Sequence, residues 1–388
     1  MDFSYPPEAE AFRDELRRWL DANLTDDYRN LGFDTAMDAE GAGLSKLREW
    51  NRKLAEARWA AVSWPREFGG REAGIMEQVV YAEEMHRAGA PGTVNPLGLS
   101  NVAPAIMQYG TEEQKTELLP RMLRGDDIWC QGFSEPNAGS DLASMQCRAV
   151  LDGDEYVING QKTWNTLGHL AEKCELLVRT DPSAPKHKGI TCLIVDMSLP
   201  GIEVRPLVTI TGSKEFNEIF FTDVRVPASA RLGPENEGWK VAMTTLAYER
   251  GTVANLHLGT RAKVRRLIDE AKKTPMGDGR VATDDPVLRE KLARVYLEGE
   301  LLKLVADRAL SGAMHGRELG PESSVAKLHW SESDQHIGEV AGDVLGPDAN
   351  HGSWGRDRVY MRSLTIAGGT TQINKNILAT RMLGLPRS

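Results

Sequence analysis

Two changes of period divide this 388-residue sequence and limit what it can fold into. From Glu8 to Arg124 the apolar residues recur at helical spacing, in stretches at Glu8–Leu24, Leu44–Trp59 and Ile75–Ala88. A last helix is opened by Thr111-Glu-Glu-Gln114, which fits a capping box with Thr111 as N-cap and Gln114 at N3. Near Gly125 the pattern becomes short β-branched and aromatic runs: Trp129–Ser134, Tyr156–Ile158, Lys162–Trp164, Leu176–Arg179, Thr191–Val195 and Ile219–Phe221. Asn159-Gly160 between two of these runs predicts a two-residue hairpin turn. After Trp239 the helical period returns through Lys240–Lys273, Pro286–His315, Glu322–Leu345 and Thr370–Leu383. The Pro/Gly/Asp-rich segment Thr274–Asp285 reads as a flexible loop.

The chain is longer than the roughly 250–300 residues at which one core stops growing, so several packed units are expected. The order predicts an α+β multidomain protein. A helical N-terminal domain spans 1–125, an antiparallel β domain 126–236 and a C-terminal four-helix-bundle domain 237–388. The formal charge of −9 supplies no basic field for phosphate backbones, so nucleic acid is not the expected partner. The four cysteines, Cys130, Cys147, Cys174 and Cys192, form no CxxC pair and read as reduced thiols rather than a disulfide or zinc framework. The N-terminus lacks the basic and apolar regions of a secretory signal, and no stretch reaches the ~20 apolar residues of a membrane span. A cytoplasmic protein without membrane association is expected.

The sequence has no Gly-x-Gly-x-x-Gly, P-loop, His-Glu-x-x-His or Gly-x-Ser-x-Gly, which removes the main support for a Rossmann site, an NTPase, a zincin or an α/β-hydrolase. Ser324-Val-Ala-Lys327 matches Ser-x-x-Lys, but the partner motifs of penicillin-binding enzymes are missing, and two fixed positions arise readily by chance.

One stretch is far more specific. Gln131-Gly-Phe-Ser-Glu-Pro-Asn-Ala-Gly-Ser-Asp141 resembles the long signature of the acyl-CoA dehydrogenase family. Five more stretches match in family order: Pro65–Gly70, Tyr109–Lys115, Asn159-Gly-Gln-Lys-Thr-Trp164, Pro234–Trp239 and Gly369-Thr-Thr-Gln-Ile373. The resemblance covers nearly the whole chain. It implies FAD held by the β domain and the C-terminal helices. Residues Gln131 to Ser140 would line the flavin, among them Phe133, Ser134 and Gly139, with Ser134 bonding the ring. Trp164, Asn165 and Thr166 match the family's second flavin-contacting stretch, and Gly346, Thr370 and Gln372 fall at further cofactor positions. Ser140, Arg250, Gly368 and Gly369 match positions that face the acyl-CoA.

Desaturation of a thioester needs a carboxylate for the α proton, a hydride acceptor, and hydrogen-bond donors for the developing enolate oxygen. Many family members carry a glutamate immediately before the final Gly-Thr. Here the segment is Ile366-Ala-Gly-Gly-Thr-Thr371, so that position is Gly368, which retains an N–H but no carboxylate. A minority of the family, including isovaleryl- and long-chain-type enzymes and actinobacterial steroid side-chain dehydrogenases, places the base in a Glu-Arg pair on the first long C-terminal helix. Leu246-Ala-Tyr-Glu-Arg-Gly251 matches that pattern, making Glu249 the candidate base and Arg250 its neighbour. On a helix, Ala242, Thr245, Thr252, Val253 and Leu256 share the stripe of Glu249, a small and mostly apolar face on which desolvation would raise a carboxylate pKa.

The chain departs from the family in two places. The Arg-Lys-Thr-Phe-Gly stretch that reaches a neighbouring subunit's cofactor has no clear counterpart in Lys272–Arg280, and near Asp343–Pro347 only Gly346 is kept. The resemblance implies an electron-transferring flavoprotein as oxidant and a homo- or heterotetramer, or a dimer. It also admits two other roles: a non-catalytic subunit of a heteromeric enzyme, and an acyl-CoA oxidase.

Overall fold

Helix formation in the first 124 residues follows the apolar spacing closely. In the computed structural model, which describes residues 5–29, 31, 42–249, 255–277, 279–314 and 320–386, α1 spans Pro7–Asn23. Phe12, Leu16 and Leu20, one turn apart, are buried on its inner face. The short α2 (Asp26–Arg29) and α3 (Ala42–Glu56) follow, and α3 buries Leu47, Trp50 and Leu54. α4 (Ile75–Ala88) ends at Gly89 with φ 65°, the left-handed conformation that glycine adopts without steric cost. It also brings in Glu84, a carboxylate 1% exposed and bonded by Arg13, Arg17 and Arg87 at 2.9, 2.8 and 2.6 Å. Burial opposes its charge, but the hydrogen bonds from Arg17, Arg87 and Arg13 outweigh burial and hold its pKa near 2. α5 (Ala103–Tyr109) and α6 (Glu112–Arg124) complete the layer. The capping box is present: the Gln114 N–H donates to Thr111 Oγ1 at 3.2 Å and the Thr111 N–H to Gln114 Oε1 at 3.0 Å.

Seven strands follow: β1 (Trp129–Gly132), β2 (Arg148–Asp152), β3 (Glu155–Lys162), β4 (Lys173–Arg179), β5 (Ile190–Asp196), β6 (Ile202–Leu207) and β7 (Phe216–Pro227). The sheet order is β1-β4-β2-β3-β7-β6, with β5 also on β4. Most pairs are antiparallel, as expected, but β1 and β2 each run parallel to β4. The long connection carrying the signature and the β2–β3 hairpin supplies the crossover that a parallel pair requires.

The turn expected at Asn159-Gly160 is not there. β3 runs straight through it and pairs with β7, with a bulge between Ile158 and Gly160. A Cβ at Gly160 (φ 151°) would lie 2.7 Å from Cys147 Cα, so glycine serves a close approach of backbones rather than a reversal. Asn159 spends its amide on Asp223 of β7, donating to Oδ1 at 3.0 Å and accepting from the Asp223 N–H at 3.0 Å. The two-residue turn is Gly153-Asp154, closed by the Asp152–Glu155 pair, with Gly153 at φ 67°.

By internal contacts the chain forms two units, Met1–Glu249 and Arg250–Ser388. α7 (Gly238–Glu249) belongs to the first, where Val241, Ala242 and Thr245 are buried and the helix packs on β5. The second unit contains α8 (Leu256–Ala271), α9 (Pro286–Met314), α10 (Glu322–Leu345), α11 (Gly352–Tyr360) and α12 (Thr371–Ile377). Its core joins Val264 and Leu267 to Leu292, Val295, Ile337, Val340 and Trp354. The segment read as a loop, Thr274–Asp285, is drawn together by a bridge between Pro275 and Val281. Among the described residues no helix is long and apolar enough to cross a membrane, and no cluster of His, Cys, Asp and Glu could hold a metal ion.

If Gly160 serves the bulge, Gly160→Val should cost about 2–4 kcal/mol, because backbone atoms of β2's entry must move. Gly153→Ala, which meets no atom within 4 Å, should cost only about 1 kcal/mol for its positive φ. Urea denaturation midpoints read the difference, and equal losses would contradict the bulge assignment.

Candidate active site

Two of the motif stretches, the signature and Asn159–Trp164, come together through one buried ion pair. Lys162, in the Asn-Gly-Gln-Lys-Thr-Trp stretch, is fully buried and donates to Glu135 Oε1 at 2.9 Å and to the Phe133 carbonyl at 3.0 Å. Glu135, in the signature, also accepts from the N–H groups of Gln146 and Cys147 at 2.7 and 2.8 Å. A buried charge pair is tolerated only when its remaining valences are satisfied in this way. The pair fixes the chain as it leaves β1, where Glu135 and Ala138 close a tight turn by two backbone hydrogen bonds of 3.0 Å. The Ser134 carbonyl accepts from the Thr163 N–H at 2.9 Å, so the signature and the second stretch run bonded together. Neither Glu135 nor Lys162 was singled out from sequence; the signal available was a glutamate and a lysine inside two separate motifs.

Of the residues expected at the flavin, Phe133 is buried, Gln131 and Ser134 are half-buried, and Gly139 and Ser140 are exposed. Asn165 is buried and its amide donates to the Gln131 carbonyl at 2.6 Å, which ties the two stretches a second time. Its own N–H donates to the Asn217 carbonyl at 3.0 Å, while its Oδ1 is buried without a hydrogen-bond partner. Thr166 is half-buried beside it. Trp164 carries two costs at once. Its φ is 61°, a left-handed conformation that disfavours a bulky side chain, and its ring is 61% exposed, touching Phe216 edge-on at 5.7 Å. A strained, exposed indole next in sequence to an unpartnered buried amide oxygen is a pattern found where a ligand completes the surface.

In the second unit, Gly346 ends α10 at φ 58°. Gly368 and Gly369 have φ 62° and 87° and are exposed, as is Gln372. A side chain at Gly368 would therefore be strained, so backbone geometry here suits glycine rather than glutamate. Thr370 caps α12 by accepting from the Ile373 N–H at 3.2 Å. The Gly369 carbonyl is held by Lys327 Nζ and Asn374 Nδ2, each at 2.8 Å, and Lys327 also donates to the Leu364 carbonyl at 2.9 Å. Burial lowers the Lys327 pKa, yet its protons are spent on backbone, so the Ser-x-x-Lys match is a clamp on this glycine segment. Glu249 closes α7, but its side chain and the whole of Arg250, Thr252 and Val253 lie outside the described residues.

Sequence reasoning missed a second acid. Glu175 in β4 is fully buried, accepting from Thr245 Oγ1 at 2.7 Å and from Gln131 Nε2 at 3.3 Å. Burial raises its pKa from 4.5 to about 7, opposed by those two hydrogen bonds. Past the signature, a cavity of about 560 Å³ is lined by Ser144, Arg148, Arg179, Thr180 and Lys186. Lys186 bonds both oxygens of Asp141 at 2.8 and 2.9 Å.

Comparison with known proteins agrees with this layout. Models of the acyl-CoA dehydrogenase N-terminal, middle and C-terminal domains match residues 6–126, 130–224 and 236–383 in that order. The acyl-CoA dehydrogenase IpdE1 of Mycobacterium tuberculosis is 38% identical over 387 residues, 98% of each chain. Two solved structures match over the full length of both chains. The ChsE4-ChsE5 complex from Mycobacterium tuberculosis does so at 34% identity with a TM-score of 0.85, and the Tcur3481-Tcur3483 steroid ACAD at 31% with 0.86. The chain belongs to the acyl-CoA dehydrogenase family. It is an acyl-CoA dehydrogenase, an oxidoreductase of a flavoprotein family that generally uses FAD.

The raised pKa of Glu175 has a signed consequence for stability. An acid with a higher pKa in the folded state stabilises fully below its unfolded value of 4.5, and that contribution, about 3 kcal/mol, is lost as pH rises through about 7. Glu175→Gln should therefore gain in Tm relative to the parent protein between pH 5 and pH 8.5. A Tm difference that does not change with pH would contradict the buried, titrating acid.

Proposed function

We propose that this chain oxidises an acyl-CoA carrying a branched or bulky acyl group to the trans-2-enoyl-CoA, with Glu249 as the base and FAD as the cofactor. The observation that carries the reading is Trp164, strained and exposed, next to Asn165, whose side-chain oxygen is buried without a partner and whose amide is tied to the signature strand at Gln131. Those residues fit a flat aromatic cofactor: an indole face, a free amide acceptor, and the half-buried Gln131, Ser134 and Thr166 around them. Bound FAD supplies the acceptor for the β hydride.

The chain's own residues have separable tasks. The Glu135–Lys162 pair sets the course of residues 133–138, so that backbone and Ser134 groups are presented in fixed positions. Gly368 offers an N–H from a segment clamped at the next residue by Lys327 and Asn374, which suits a donor to the thioester oxygen as charge develops there. Glu249 removes the α proton, and its helix carries a buried face of small residues at Ala242 and Thr245. The cationic cavity beyond Ser140 suits the phosphate end of coenzyme A.

The bulky acyl group is supported by the base position and by similarity to a protein named as a steroid ACAD. We take the domains as 1–125, 126–236 and 237–388, the site of action as the cytoplasm, and the oxidant as an electron-transferring flavoprotein. Assembly with further subunits is supported by α9, where Leu297, Leu301 and Leu304 are more than half exposed at helical spacing beside Tyr296. Similarity to the ChsE4-ChsE5 complex makes a heteromer as admissible as a homomer.

Glu249→Gln is expected to keep bound FAD while flavin bleaching by acyl-CoA slows about 10²–10⁴-fold, the usual worth of a general base. Undiminished bleaching removes Glu249 from the role. For assembly, Leu301→Glu should lower the mass found by light scattering, and an unchanged mass would mean that this stripe is not an interface.

A further inference from the structure

One buried acid in the first unit is used by none of the steps above. Glu175 lies in β4 with Gln131 of β1 as its register partner on one side and Ile194 of β5 on the other. These three side chains therefore share the sheet face on which α7 packs. Among the described residues Glu175 pairs with no lysine or arginine; its oxygens are divided between the Thr245 hydroxyl and the Gln131 amide. On β5, Cys192 and Asp196 each lie two residues from Ile194, and the Cys192 thiol is raised well above its usual range by burial and then by the charge of Glu175. Within β4, Cys174 is raised by its hydrogen bond with Cys130 of β1 and then by burial. Among the described side chains of α7 the buried residues are Gly238, Val241, Ala242 and Thr245, none of them charged. An apolar alternative would be cheaper at such a place, so the carboxyl group is there for the bonds it makes.

We propose that Glu175 is a positioning residue for the dehydrogenation, joining Gln131 at the start of the flavin-facing segment to Thr245, one helical turn before Glu249. The inference rests on the roles given above to Gln131 and Glu249. Residues four apart on a helix are neighbours on one face, so the point at which Thr245 is anchored governs where the end of α7 lies. Ionised, Glu175 accepts from both partners. Protonated, it becomes a donor to the Thr245 oxygen, and the Thr245 proton turns to its other acceptor, the Val241 carbonyl at 3.3 Å. Such a bond back to the preceding turn bends a helix slightly. The strand carrying Gln131 and the helix carrying Glu249 thus answer to the protonation of a single group near neutral pH.

The test uses the FAD-loaded protein, with the visible flavin spectrum and steady-state kcat and KM recorded from pH 5.5 to 8.5. The parent protein should show a spectral transition centred near pH 7. Glu175→Gln should abolish it and lower kcat about tenfold, with KM within about twofold, as loss of a hydrogen bond to a charged group implies. Thr245→Val, which leaves the acid in place, should show the same loss in kcat and serves where Glu175→Gln does not fold. Glu249→Gln should lose turnover but keep the spectral transition, which separates failure of this inference from failure of the base assignment. A parent protein without the transition overturns the proposal, as does a Glu175→Gln or Thr245→Val protein with parental spectra and kcat.

Discussion

Most of the candidate site in the first unit depends on one electrostatic interaction largely withdrawn from water, the buried pair between Glu135 and Lys162. Two opposite charges in a dry interior are stable only if each also bonds elsewhere, and here each does: the carboxylate to two backbone N–H groups, the ammonium to the Phe133 carbonyl. The result is a fixed path for the residues between β1 and the tight turn at Glu135. Because the lysine comes from the end of β3, the same pair holds the signature against the strand that leads to Trp164. Removing either partner would leave an uncompensated buried charge, so the site's geometry and the fold's stability cannot be separated here.

A second theme is the use of costly local states where a ligand is expected. Trp164 adopts a positive φ and exposes its ring, Asn165 leaves a buried oxygen without a partner, and Gly368 and Gly369 take consecutive left-handed conformations under the Lys327 clamp. Glu84 is nearly as inaccessible to solvent as Glu175, but three arginines bond it and its pKa falls, whereas Glu175 lies deeper, has only neutral partners, and its pKa rises. The contrast sorts the two acids: the first holds helices together, and the second lies on the line from Gln131 to Thr245.

Much of this was legible in the sequence because it rests on local rules. Helical spacing located α4 and α10 to the residue, and Thr111 with Gln114 formed the capping box their spacing implied. The signature pointed to the family, and the separate stretch Asn159–Trp164 pointed to Trp164. What failed was what depends on contacts distant in sequence. Asn159-Gly160 has the composition of a turn, yet the glycine is needed for close approach to Cys147, which no local window reveals. The parallel pairing of β1 with β4, the Glu135–Lys162 pair and the burial of Glu175 likewise arise only once separate strands meet. Ser324-x-x-Lys327 was rightly set aside as chemistry, but its lysine has structural work on the Gly369 carbonyl that the motif does not suggest.

On the proposed reading, this surface takes a flavin and passes it the electrons of an acyl thioester. The most direct measurement is the visible spectrum of the purified chain, recorded anaerobically during titration with acyl-CoAs of increasing bulk. A yellow protein is expected, its flavin bands bleaching, with branched or ring-bearing acyl groups acting at lower concentration than short straight chains. A FAD-loaded protein that no acyl-CoA bleaches would contradict this activity.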